Sequence, residues 1–186
     1  MIRSSTTPTA DKQCLDAAAE ALFQGELMLS LINETSYTKP VPEVFNATIG
    51  GHFRHVLDHF QIVLDAVETG TLDYSKRRRE QVIETSPSRA LDKTRDLADR
   101  FARLESRAMT QSIQVTDTLS EENDSPTAVF ASSIARETLY AVHHAIHHFA
   151  MIRVMGQLMD VRFPPDFGVA ISTLRHRRHE GDLRKE

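Results

Sequence analysis

The stretch Ala47-Thr48-Ile49-Gly50-Gly51-His52-Phe53-Arg54-His55-Val56-Leu57-Asp58-His59-Phe60-Gln61-Ile62-Val63-Leu64-Asp65-Ala66-Val67-Glu68-Thr69 decides the fold class. Ile49, Phe53, Val56, Phe60, Val63, Leu64 and Val67 recur at the three- and four-residue spacing of one helical face. Asn46 or Thr48 is placed to cap its start, and Gly70 to end it. Into the same helix are written three histidines, His52, His55 and His59.

Three further segments share the helical period. The first runs from Asp11 to Asn33, with Leu15, Ala18, Leu22, Leu29 and Ile32 on one face. The third opens at Ser86-Pro87, a capping hydroxyl followed by proline where its missing N–H is not needed, and carries Leu91, Thr94, Leu97, Ala98, Phe101 and Leu104. The fourth repeats that signal at Ser125-Pro126 and runs to about Met159, with Gly156 as an interruption near its end. The connections Glu34 to Asn46 and Thr71 to Thr85 are long and polar, and Val115 to Asp124 is acidic and expected to be exposed. After Val161 come Phe163-Pro164-Pro165, a short segment from Asp166 to Leu174, and a basic end. With no strand pattern, four long helices predict an all-α fold, an antiparallel four-helix bundle. The expected organisation is one domain over 1–186, with residues 1–10 a flexible N-terminus and 161–186 a C-terminal extension.

Composition narrows the function classes. At 186 residues, with 40% hydrophobic and 26% charged side chains, the chain suits one domain with a real core. A net charge of −4 provides no basic field for nucleic acid. The opening residues Met1 to Thr9 lack an apolar run, so no signal peptide is expected, and no stretch reaches the roughly 18 apolar residues of a membrane span. The single cysteine, Cys14, excludes an intrachain disulfide framework and fits a reducing cytoplasm.

Of nine histidines, seven fall in two clusters: His52, His55 and His59, and His143-His144-Ala145-Ile146-His147-His148. Neutral imidazole is the commonest metal ligand, and histidines four apart on a helix point toward a shared ion. Taken singly, a histidine on an apolar face is more often a hydrogen-bonded core residue. A pair on one helix with a third histidine on another favours a metal. On a helical projection, Phe130, Ile134, Met151, Ile152, Met155 and Leu158 centre about 20° from His144. That places His144 and His148 in the apolar stripe and His143 and His147 on its flank. Glu137 falls on the same interior line, where a buried carboxylate needs a partner, so it is a candidate to bond a ligand histidine or to ligate directly. In the other cluster, the apolar stripe centres about 130° from His55, which favours His52 or His59 as the third ligand.

The segments Ile49-Gly50-Gly51-His52-Phe53-Arg54-His55-Val56-Leu57-Asp58 and His144-Ala145-Ile146-His147-His148-Phe149-Ala150-Met151-Ile152 resemble the DinB/YfiT-like superfamily of metal-dependent four-helix-bundle proteins. The resemblance covers most of the chain in helix order. It implies one metal histidine late in the second helix, matched by His55 with its acid three residues on, and an H-x-x-x-H pair on the last long helix, matched by His144 and His148. Two features depart from the family: Phe149-Ala150-Met151 stands where many relatives have Arg-Gly-Gln, and Gly51 where a tryptophan is common. Characterised branches include thiol-dependent S-transferases and isomerases, and related domains of iron-dependent sulfoxide synthases.

The metal implied is a divalent zinc, nickel or iron ion, since affinity order cannot select among imidazole-bound metals. The expected activity is a thiol S-transferase using a low-molecular-weight thiol, with metal-dependent hydrolysis as the close variant. His52 and His59 are candidates for proton transfer or for orienting ligands. The alternative is a non-catalytic binding or stress-response protein, a homodimer through outward-facing Leu139, Val142 and Ile146. Arg77-Arg78-Arg79 is either a solvated charge run or a hold on an anionic substrate, and Arg175-His176-Arg177-Arg178 is read as solvated rather than nucleic-acid-binding. Met151, Met155 and Met159 are read as core filling.

Overall fold

Thr48 caps the second long helix with its hydroxyl, which accepts from Gly51 N at 2.9 Å, and Gly70 ends it in the left-handed region at φ 71°. This is the pattern set by the sequence, and it fixes the central element of the molecule. In the computed structural model, which describes residues 10–120 and 127–183, that element is α3 (Ile49–Thr69). The other helices are α1 (Ala10–Leu31), α2 (Glu34–Thr38), α4 (Gln81–Thr85), α5 (Pro87–Ala102), α6 (Ser106–Met109), α7 (Ile134–Leu158) and α8 (Ile171–Leu183). Ser86 caps α5 and Pro87 occupies its first turn, as the sequence predicts.

The four long helices form a ring of neighbours. α1 packs on α5 and α7, and α3 packs on the same two helices, so α1 and α3 lie across a diagonal. Aromatic side chains fill the interior: Phe53 of α3 meets Phe149 of α7 at 6.3 Å between ring centroids, and Phe60 meets Phe101 of α5 edge-on at 5.7 Å. Each such burial is worth roughly 1.5–3 kcal/mol. Met155 is fully buried and Met151 and Met159 pack against the core, consistent with a filling role.

The all-α expectation is corrected: the molecule is mostly helical and also has a three-stranded mixed sheet. β1 (Thr71–Asp73) runs parallel to β2 (Ser112–Thr118), with Leu72 opposite Val115. β2 runs antiparallel to β3 (Thr127–Ser133), with Val115 opposite Phe130. The stretch from Val115 is therefore a strand before it is a loop, and Ile113 and Val115 are buried. The fourth long helix begins at Ile134, capped by Ser133, because residues 127–133 pair with β2 instead of helping to form its first turns. The proposed cap Ser125-Pro126 lies outside the described residues, as do residues 1–9 of the expected flexible N-terminus.

The long connections carry short helices. α2 brings Tyr37 into the core, where its hydroxyl donates to the Ile83 carbonyl at 2.8 Å. Gly50 lets α3 approach α4 so closely that a Cβ there would strike the Glu84 carbonyl oxygen. The C-terminal extension folds back on α7: Phe167 stacks on Phe149 at 5.1 Å, and Gly168, at φ 67°, abuts the backbone at Ala150. The predicted segment from Asp166 to Leu174 resolves into a turn and the start of α8, on which Arg175, Arg177 and Arg178 are exposed. Among the described residues, no helix is long and apolar enough to cross a membrane.

The buried face of α7 also differs from its projection. Ile134, Thr138, Ala141, Val142, Ala145, Phe149 and Ile152 form it, centred about 90° from His144. The small alanines carry this face, whereas Phe130 belongs to β3 and Leu158 is exposed. Val142 is thus a core residue and not part of an outward apolar surface; Leu139 is exposed and Ile146 half-buried.

Candidate metal centre

On α3, His52, His55 and His59 fall on one side within two turns; on α7, Tyr140, His144 and His148 do the same at intervals of four. The two helices pack directly, and these faces meet. His55 Nε2 lies 2.9 Å from His144 Nε2, which lies 3.1 Å from His148 Nε2. One nitrogen from each of the three lies within 4.8 Å of the others, a group that can hold a metal ion. Zinc–imidazole bonds of about 2.0–2.1 Å at tetrahedral angles imply N···N separations of roughly 3.3 Å. The observed spacings are close to that, and all three donors are imidazole nitrogens, so the residues fit a divalent cation.

His144 and His148 are half-buried on the flank of α7 that faces α3, while His143 and His147 are exposed. His55 joins them although it lies far from the apolar line of α3. The reason is that α3 has neighbours on most sides (α2, α4, α5, α7 and β1), so an apolar line marks only one of its buried directions.

The surrounding side chains hold these rings in place. His52 Nδ1 lies 2.8 Å from His148 Nδ1, and His59 Nδ1 donates to the His55 carbonyl at 2.9 Å. Arg77 Nη1 donates to His55 Nδ1 at 3.1 Å. The His59 ring lies 4.1 Å from that of His144, and Tyr140 stacks on His144 at 5.7 Å. Glu137 is fully buried, but its partners are Tyr74 Oη, Ser132 Oγ and Arg136 Nη1; no histidine is among its described hydrogen bonds. Tyr74, Tyr140 and the Arg77 contact escaped the sequence reading. Tyr140 was within its reach, being one helical turn before His144 on the same face.

Two cavities flank the cluster. One of about 340 Å³ opens on His52, His55 and His148 with Thr48, Arg54 and Glu84 at its wall. The other, about 400 Å³, lies behind Tyr140 and is walled by Tyr74, Glu137 and Arg136 together with Asp117, Phe130 and Ser132 of the sheet.

Burial holds the rings neutral. Desolvation, then the neighbouring rings and Arg77, lower His55 to about 2. Desolvation and then His144 and His52 lower His148 to about 3. Desolvation outweighs the hydrogen bond to His55 and lowers His59 to about 4. Burial also lowers His52 and His144. An unfolded chain takes up protons on these rings near pH 6.5, where the folded chain refuses them. Their stabilisation is therefore complete above about pH 6.5 and is lost as pH falls toward these depressed values. Melting temperatures of chelator-treated protein should fall steadily from pH 7 to pH 5; a flat profile would contradict the buried neutral cluster.

No protein-family model and no solved structure matches the chain. A similarity to FK506-binding protein 5 of Rhizopus delemar reaches 41% identity over 56 residues, which is 30% of this chain. The matched part spans 14% of that protein's length.

Proposed function

We propose that this chain is a divalent-metal-binding protein of the DinB/YfiT-like kind, with a four-helix-bundle scaffold, acting as a transferase with a low-molecular-weight thiol; hydrolysis is the close variant. The observation that carries the reading is the meeting of His55, His144 and His148 nitrogens from two helices at ligand spacing. A bound zinc, nickel or iron ion would supply a Lewis acid that lowers the pKa of a thiol or water beside it. Three neutral imidazoles leave room for such a partner, unlike the closed donor sets of structural sites.

The chain's own residues supply the rest. His52 fixes the ring of His148 through its outer nitrogen. His59, with Nδ1 tied to the His55 carbonyl, keeps Nε2 as a proton acceptor, the role proposed for it during thiol deprotonation. The cavity at His52, His55 and His148 admits the substrate. Free Cys14 agrees with a reducing, cytoplasmic setting for this reading.

Turnover decides the activity. Metal-loaded protein incubated with small thiols and a panel of electrophiles is expected to consume thiol above background, and His148→Ala to fall to background. Equal rates in the two would reject the transferase for those substrates.

A further inference from the structure

The outer nitrogens of His148 and His55 face chemically different partners. His148 Nδ1 meets His52 Nδ1, an imidazole that can donate or accept. His55 Nδ1 meets Arg77 Nη1, and a guanidinium only donates. With Arg77 donating, a neutral His55 carries its proton on Nε2. That is the nitrogen turned toward His144, where a ligand must present a lone pair. A His55 ring that ligates through Nε2 carries its proton on Nδ1, and two donors then face each other with no acceptor between them. The Arg77 hydrogen bond and ligation by His55 exclude one another. His52 meets no such conflict, because it exchanges roles as His148 changes tautomer.

We propose that Arg77 is a latch on the metal centre: it holds His55 in the tautomer that cannot ligate, and it leaves Nδ1 when an ion is taken up. This rests on the three-histidine reading above. The surroundings of Arg77 suit a side chain that is held but not locked. Arg54 pairs with Asp58 and Glu84, and Arg78 pairs with Asp65, whereas Arg77 enters no ion pair among the described residues. Its Nε is buried without a hydrogen-bond partner. Residues 77–80 lie between a 3-10 turn (Tyr74–Lys76) and α4 in neither helix nor strand, so withdrawal breaks no backbone ladder.

The test titrates zinc into the full chain against a chromogenic chelator, for wild type, Arg77→Met and Arg78→Met, and reads the imidazole tautomers by long-range ¹⁵N–¹H NMR. A charge-assisted hydrogen bond of this kind should weaken zinc binding by about tenfold or more, so Arg77→Met binds that much tighter and Arg78→Met matches wild type. The His55 proton should sit on Nε2 in metal-free wild type and on Nδ1 once zinc is bound. Zinc binding indifferent to Arg77, or a metal-free His55 already protonated on Nδ1, overturns the latch alone. No zinc binding by any of the three proteins overturns the latch together with the three-histidine site.

Discussion

His144→Ala is expected to bind zinc about a hundredfold more weakly than wild type, or worse, and to be purified without stoichiometric metal. His144 Nε2 stands between the other two ligand nitrogens, 2.9 Å from His55 and 3.1 Å from His148. Its loss leaves two imidazoles with a gap where the shared position was. Outer partners of ligand histidines typically contribute 10–100-fold, and a ligand itself should exceed that. His52→Ala, which removes only the partner of His148 Nδ1, should thus fall between His144→Ala and wild type. His147→Ala should bind as wild type does, since that ring is exposed. Elemental analysis of protein made without an affinity tag, joined to chelator competition, reads all three. The same loss appears in stability. Zinc at a hundred times its Kd stabilises a folded state by about 2.7 kcal/mol, a rise in melting temperature that His144→Ala should not show. Stoichiometric zinc retained in that variant would dismantle the site.

Glu137→Ala should destabilise the fold by about 3 kcal/mol, because a charged acceptor with several donors is worth more than a neutral one and its removal leaves donors unpaired. The carboxylate is 1% exposed and accepts from Tyr74, Ser132 and Arg136. Arg136 is largely exposed and can turn to water; Tyr74 and Ser132 are half-buried and cannot do so fully. Through these bonds Glu137 joins α7 to β3 and to the turn after β1, so its loss loosens the wall of the larger cavity. Burial, then Glu137, raises the Tyr74 phenol well above its ordinary range, so the hydroxyl remains the donor. Urea unfolding with an unchanged m-value would show the loss as a lower midpoint. Glu137→Gln, which keeps the shape, should leave zinc affinity unaltered, since none of the carboxylate's partners is a histidine. Loss of zinc in Glu137→Gln would instead return this residue to the ligand set.

Much of this was legible where the signal is local. Thr48 and Gly70 bracket α3, and Ser86-Pro87 opens α5, because caps and stops are satisfied by the nearest few residues. The helical projection, and not the four-residue spacing that both pairs share, separated His144 and His148 from His143 and His147 for the same reason. The sheet was visible only faintly: Ile113 and Val115 alternate with Gln114 and Thr116, and Thr127 to Ser133 matches a helical start as readily as a strand. What turns those seven residues into a strand is β2, the preceding strand, whose pairing lies beyond the few residues that a helical start is read from.

The chain by itself determined the long helices, their ends other than the start of α7, and the two histidine clusters, since these follow from periodicity and capping within a few residues. For the α3 ligand the resemblance pointed to His55 and the apolar projection to His52 or His59; the packing of α3 on α7 brings His55 to the cluster, and the turn that delivers Arg77 alone decides what stands on its outer nitrogen. Apolar periodicity records which side of a helix avoids water, whereas convergence on a shared point depends on how two helices are set against each other.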